Sequence, residues 1–292
     1  MFRNKFFSLR RRESFAVLAY LLLPLTGFAI FYIIPFGITI IRTFTHGTTG
    51  NFVGLDNYIS VINSMAFRLA VFNTFRFIGI GVPLLMSLSL VVALLLNTKI
   101  RGSDGFRTIY VLPLVIPTAS VILVFQIIFE RGGIINYLLN SFGSGGFDFL
   151  RTGNIFWVLM ILYLWKNIGY TIILTMAGLV QIPKDYYEAA RVDGAGWFTQ
   201  LRKITLPLMG PTFFFVMILS IVGAFRSFRE AFVLGGSHPH ESIYMVQHFM
   251  NNNFVNLNYA RLSVAAVLTF VIIFAFVMAM YIWSEKGEGA SR

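Results

Sequence analysis

The chain contains no cysteine. That absence excludes a disulfide framework, a thiolate metal site and a cysteine nucleophile, and it leaves the redox compartment undetermined. Charge is also scarce: 12% of the 292 residues are Asp, Glu, Lys or Arg, about half the roughly 25% of a soluble domain. Within that small set, carboxylates number 12 against 23 basic groups. No lysine directly follows a glycine, so there is no GxxxxGK[ST] phosphate loop, and any ATP hydrolysis belongs to another chain. No HExxH helix, nucleophile with a base or intramembrane carboxylate pair is present, so no catalytic and no metal-binding residue is assigned.

What the sequence has instead is apolar bulk. Hydrophobic residues make up 57% of the chain, with 32 phenylalanines. They come in long blocks rather than the 3.6-residue stripe of a soluble amphipathic helix, and long blocks point to a bilayer. The first block is too long for a signal-peptide core and has no small-residue cleavage site after it, so it is expected to remain as an anchor. The +11 formal charge does not argue for nucleic acid, because the basic residues sit between apolar blocks, where they orient spans.

A helix rises 1.5 Å per residue, so about 20 apolar residues cross a roughly 30 Å hydrocarbon core. Six segments qualify: Phe15 to Ile41, Leu69 to Leu96, Thr108 to Phe129, Ile155 to Val180, Ile204 to Phe225 and Leu262 to Trp283. Arg76 and Lys166 are the only formal charges inside these bounds. With the N-terminus inside, residues 1–14, 97–107, 181–203 and 284–292 hold fourteen Lys and Arg, whereas the opposite loops hold seven. The positive-inside rule then places both ends in the cytoplasm. The expected architecture is all-α, a single six-span membrane domain over residues 1–292 with a cytoplasmic N-terminal segment at 1–14.

The polar stretch IPKDYYEAARVDGAGWFTQLRKITLPLMGP, residues 182 to 211, has a readable local grammar. Pro183 suits the start of a helix, Asp185 its positive end, and Gly194 a left-handed stop. These predict a helix from Lys184 to Asp193 and a second from Ala195 to Lys203, ending near Pro207 and Pro211. By physics alone, such a module is either a surface loop or a docking element.

Glu188-Ala189-Ala190, then Asp193-Gly194-Ala195, Ile204, Leu206-Pro207 and Pro211 resemble the EAA loop of ATP-binding-cassette importer permeases. The pattern departs at Leu201, where the family tends to place an aromatic. Phe52-Val53-Gly54-Leu55 with Asn57-Tyr58, and Leu234-Gly235-Gly236 with Pro239 and Tyr259-Ala260, resemble the maltose and glycerol-phosphate branch. The resemblance implies a type I importer permease in a bacterial or archaeal cell membrane, carrying a sugar or sugar derivative. It also implies a second permease subunit, two ATPase subunits that hold ATP and Mg, and an extracytoplasmic solute-binding protein. Residues 182–207 would be the loop that docks on the ATPase, through Glu188, Ala189, Ala190, Asp193, Gly194, Ala195, Leu206 and Pro207. This chain itself would bind no cofactor.

A candidate solute path follows from helical spacing. Tyr163, Lys166, Asn167, Tyr170, Thr171 and Thr175 fall on one face of the fourth span. A bare Lys at mid-bilayer costs about 2.5 to 3.5 kcal/mol, so that face should avoid lipid. Contact with solute and hydrogen bonding to neighbouring helices are both open to it. Arg76 is expected to snorkel outward, and His238, His240 and His248 with Glu241 to form a surface loop rather than a metal site. Composition and six spans alone also allow an ATP-independent secondary transporter or channel.

Overall fold

The structure, a computed structural model, describes residues 20–47, 49–97, 113, 116–143 and 145–289, with only the backbone of 283–289. The segment 1–14, the starts of the first and third expected spans and the basic segment at 99–107 lie outside the described residues. Among the described residues, six helical stretches are long and apolar enough to cross a membrane. Among the described residues, pairing beyond helices and turns is confined to an isolated antiparallel bridge between Thr45 and Phe52.

By contacts the chain forms two units, one within Met1–Asn63 and Asn253–Leu268, the other within Ser64–Asn252 and Thr269–Arg292. In the first unit, α1 (Tyr20–Thr43) is followed by a short α2 (Asp56–Ile62). The Asn57 side chain donates to the Thr43 and Thr45 carbonyls at 2.9 and 3.0 Å. Tyr58 donates to the Thr43 hydroxyl at 3.0 Å. The Thr43 carbonyl that α1 leaves open at its end, and the Thr45 carbonyl just beyond it, are thus closed by the Asn57 amide, as helix termini require. Asn57 and Tyr58, noted above for family likeness, are this seal.

The second unit is built on α3 (Met65–Asn97), α4 (Thr118–Phe129), α5 (Ile134–Ser141) and α6 (Ile155–Gln181). These are followed by α7 (Lys184–Val192) and a short α8 (Trp197–Gln200). Then come α9 (Gly210–Arg226), α10 (Phe228–Gly235) and α11 (Val246–Val255), and the chain closes with α12 (Tyr259–Gly289); the end of α11 from Asn253 and the part of α12 up to Leu268 belong to the first unit. Helix α6 is the hub. Phe77 and Leu85 from α3, Ile122 from α4, Phe156, Leu159 and Tyr163 from α6 and Ile221 from α9 share one buried cluster.

A second cluster gathers Ala93, Ile172, Met176, Leu179, Ile182 and Met209. There α6 and α9 pack closely: a Cβ placed on Gly178 would meet the Thr212 hydroxyl oxygen at 2.5 Å. Small residues are how membrane helices approach when hydrophobicity gives no drive between them.

The fifth span differs from the expected Ile204 to Phe225: it runs Gly210–Gly235. Gly210-Pro211 opens it, since proline suits a first helical turn. At the other end, Arg226, Arg229 and Glu230 do not stop the helical run, which is resumed after a tight turn at Ser227 and ends only at Gly235. Formal charges inside the spans are therefore not confined to Arg76 and Lys166. Arg76 itself lays its guanidinium 4.3 Å over the Phe156 ring, a cation–π contact that holds an exposed arginine against its own bundle.

Candidate functional site

The stretch 182–194 folds as its local grammar directs. Helix α7 starts after Pro183 and ends at Val192, with Asp185 in its first turn and Arg191 in its last, both complementing the helix dipole. Gly194 stands at φ +77°. Its N–H reaches Arg191 O at 3.0 Å, and the Ala195 N–H reaches Ala190 O at 2.8 Å, the paired bonds of a left-handed glycine cap. The Gln200 amide adds a bond to Ala195 O at 2.8 Å.

Beyond this hinge the expected Ala195 to Lys203 helix is instead the brief α8, a π turn at Leu201–Thr205 and a single turn at Leu206–Leu208. Glu188, Ala189, Asp193, Gly194, Leu206 and Pro207 are exposed, whereas Ala190 and Ala195 are half-buried. Val192, Trp197 and Phe198 are exposed by 89%, 67% and 66%. A short helix with small residues and unspent apolar side chains is thus presented at one end of the bundle.

The polar stripe on α6 is divided by the fold. Tyr163 is buried and its hydroxyl donates to Ser220 O at 2.9 Å. Thr171 and Thr175 are buried and bond back to the carbonyls of Asn167 and Thr171 at 3.0 and 2.8 Å, a common resolution for hydroxyls inside membrane helices. The Asn167 amide returns to Tyr163 O at 2.8 Å, and Tyr170 is exposed.

Lys166 makes an ion pair with Glu230 and donates to Thr118 Oγ1 at 3.0 Å. Its side chain stays 28% accessible against 5% for Glu230. Three spans therefore meet at this lysine. Sequence reading missed Glu230 because it treated the chain after Phe225 as loop. The available signal was the lack of proline or glycine between Ala224 and Leu234, which lets the helix carry one carboxylate inward.

The segment 236–248 also departs from expectation. Asn73 on α3 donates to the carbonyls of Glu241 and Tyr244 at 2.5 and 3.0 Å, and the Thr74 hydroxyl accepts the Val246 N–H at 3.0 Å. His240 caps the turn by accepting from the Ser242 N–H at 3.2 Å. His248 is not on the surface: it is fully buried, 4.8 Å from the Phe228 ring and stacked 5.6 Å from Tyr244. Its Nδ1 accepts the Met245 N–H at 3.1 Å. Burial lowers its pKa from 6.5 to about 4. Among the described residues no cluster of three or more His, Cys, Asp or Glu is placed to hold a metal.

A helical bundle with a hinged polar loop between its fourth and fifth spans is the architecture of an importer permease, and comparison with known proteins agrees. Residues 85–287 match the family described as "Binding-protein-dependent transport system inner membrane component", and the chain belongs to it. It is the membrane permease component of an ATP-binding-cassette importer, with several membrane passes. The trehalose/maltose transport system permease protein MalF of Thermococcus litoralis is 33% identical over 262 residues, covering 89% of this chain and 86% of the relative. The arabinooligosaccharides transport system permease protein AraP of Bacillus subtilis is 28% identical over 276 residues, covering 90% and 87%. A crystal structure of a bacterial ABC transporter that imports the acidic polysaccharide alginate superposes with a TM-score of 0.82 at 20% identity, covering 94% of this chain and 96% of that one. At that identity the likeness shows the fold, which is the type I importer permease fold.

Proposed function

We propose that this chain is one of two permease subunits of an importer for a sugar or sugar derivative, and that residues 182–207 dock on a separate ATPase. The observation that carries the reading is the exposed helix α7 with its left-handed Gly194 cap: Glu188 and Ala189 form a low, polar face beside exposed Val192 and Trp197. A helix that nests in a partner's cleft needs that profile. Sugar as solute is supported by the names of the relatives and by the polar groups around α6. Of the stripe, Lys166, Asn167 and Tyr170 are assigned to the path, with Tyr163 and Thr171 holding the helix that presents them.

In this reading ATP and Mg bind the ATPase, and this chain takes no catalytic part and binds no cofactor. The other partners are a second, similar permease and an extracytoplasmic solute-binding protein. The excess of basic residues at 1–14, 97–107, 181–203 and 284–292 puts both termini and the docking loop in the cytoplasm of a cell whose plasma membrane holds the complex. Closure of the ATPase pair pulls the loop and tilts the spans between inward-open and outward-open states.

Co-expression with candidate ATPase subunits tests this. The native chain should carry ATPase through purification, and the Glu188→Lys, Ala189→Trp double variant should lose it while still inserting. A native chain that never retains an ATPase yet moves solute in vesicles would make it a secondary transporter.

A further inference from the structure

The backbone between the docking helix and the fifth span is a poor lever. It passes through Gly194 in the left-handed region, then the π turn at Leu201–Thr205, then Met209, whose φ and ψ of −82° and 0° interrupt the helix before Gly210. Each is a place where a pull dissipates, and π turns inside helices often mark positions that rearrange in function. One side-chain contact bypasses all but the last. The Tyr187 and Thr205 hydroxyls lie 3.0 Å apart across 18 residues of chain.

Both partners are set firmly. The Tyr187 ring packs against the cluster of Ala93, Ile172, Met176, Leu179, Ile182 and Met209, which joins α3, α6 and the entrance to α9. Thr205 is 4% exposed, and its carbonyl accepts the Met209 N–H at 3.0 Å, one residue before α9 begins. Its hydroxyl also reaches Gln200 O at 3.5 Å, so it ties the ends of the π turn together.

We propose that Tyr187 and Thr205 are positioning residues whose hydroxyl pair makes docking helix α7 and the fifth span move as one body. This rests on the docking reading above. A load on α7 then bypasses the glycine hinge and the π turn, reaching the head of α9 through one hydrogen bond and one packed ring. The glycine hinge is left free to shape the docking face.

The absence of cysteine makes the test direct. Spin labels at Arg191→Cys on α7 and Val233→Cys on α10, in the chain assembled with its ATPase, report one distance with and without ATP and vanadate. With the strut intact that distance keeps a single narrow distribution in both states. Tyr187→Phe, which keeps the ring, and Thr205→Val should broaden or split it on adding ATP and vanadate, and Thr205→Ser should restore it. Losing one hydrogen bond should also cut solute moved per ATP by about threefold to tenfold. An unchanged narrow distribution in Tyr187→Phe with the ATPase still bound overturns the strut alone. A native chain that binds no ATPase overturns the docking reading and the strut with it.

Discussion

The two segments that flank the fifth span are held by opposite means. Before it, residues 184–200 are shaped mainly by neighbours in sequence: Asp185 and Arg191 at the ends of α7, Gly194 as its cap, Gln200 closing on Ala195. After it, residues 236–248 are shaped from far away. Asn73 and Thr74 pin backbone some 170 positions distant, and His248 fills a cage of Phe228, Phe232 and Tyr244. A segment that must move with a partner is built to hold its shape alone, whereas one fixed to the bundle borrows its shape from the bundle.

If that contrast is right, damage near the second segment should be global and damage in the first local. The largest effect is expected at Glu230. Glu230→Ala strands Lys166 beside Thr118; because that lysine stays 28% accessible, the cost should be about 3 kcal/mol, the low end for breaking a buried pair. Thermal unfolding in detergent should show it, and the Lys166→Met, Glu230→Leu double variant should regain most of the loss because no charge is left unpaired. Equal instability in the double variant would mean that the pair acts through shape, not charge.

Acid should come next. The His248 pKa in the fold, about 4, lies below the ordinary 6.5. Above pH 6.5 folded and unfolded chains are both neutral there, and the stabilisation is complete. As pH falls from 6.5 towards 4, the unfolded chain takes up the proton first and stability is lost, by up to roughly 3 kcal/mol. The opening free energy across 236–248, taken from hydrogen-exchange rates divided by the intrinsic rate at each pH, should therefore fall between pH 6 and 4 in the native chain and stay flat in His248→Phe. A native chain flat over that range would remove the histidine from the account.

The smallest effect belongs to Gly194. A side chain at φ +77° costs roughly 1 to 2 kcal/mol. Gly194→Val should speed exchange in α7 and weaken ATPase capture, while the unfolding temperature of the bundle hardly moves. A large global loss would show that the docking loop is as dependent on the bundle as its counterpart, and the comparison would fail.

These differences track what could be read in advance. The 182–194 helix and its stop were legible because proline, acidic residue and glycine act on their immediate neighbours. The fifth span was misplaced at both ends. Its start depends on Met209 sinking into a cluster with Ala93 and Met176, and its end depends on Glu230 finding Lys166, 64 positions earlier in the chain. His248 looked like one more loop histidine, since nothing adjacent to it announces the three rings that enclose it.

By itself the sequence determined that the chain is a six-span membrane protein and that its polar loop is a helix, a glycine hinge and a continuation. Apolar length and backbone preference are local properties, readable within about 20 residues. Only the tertiary structure decided which charges are paired, which stripe hydroxyls are spent on their own helix, and that Tyr187 reaches Thr205. Those outcomes depend on which helices touch and at what height. In a bilayer such contacts come from packing and polar pairing between distant segments, which no single span encodes.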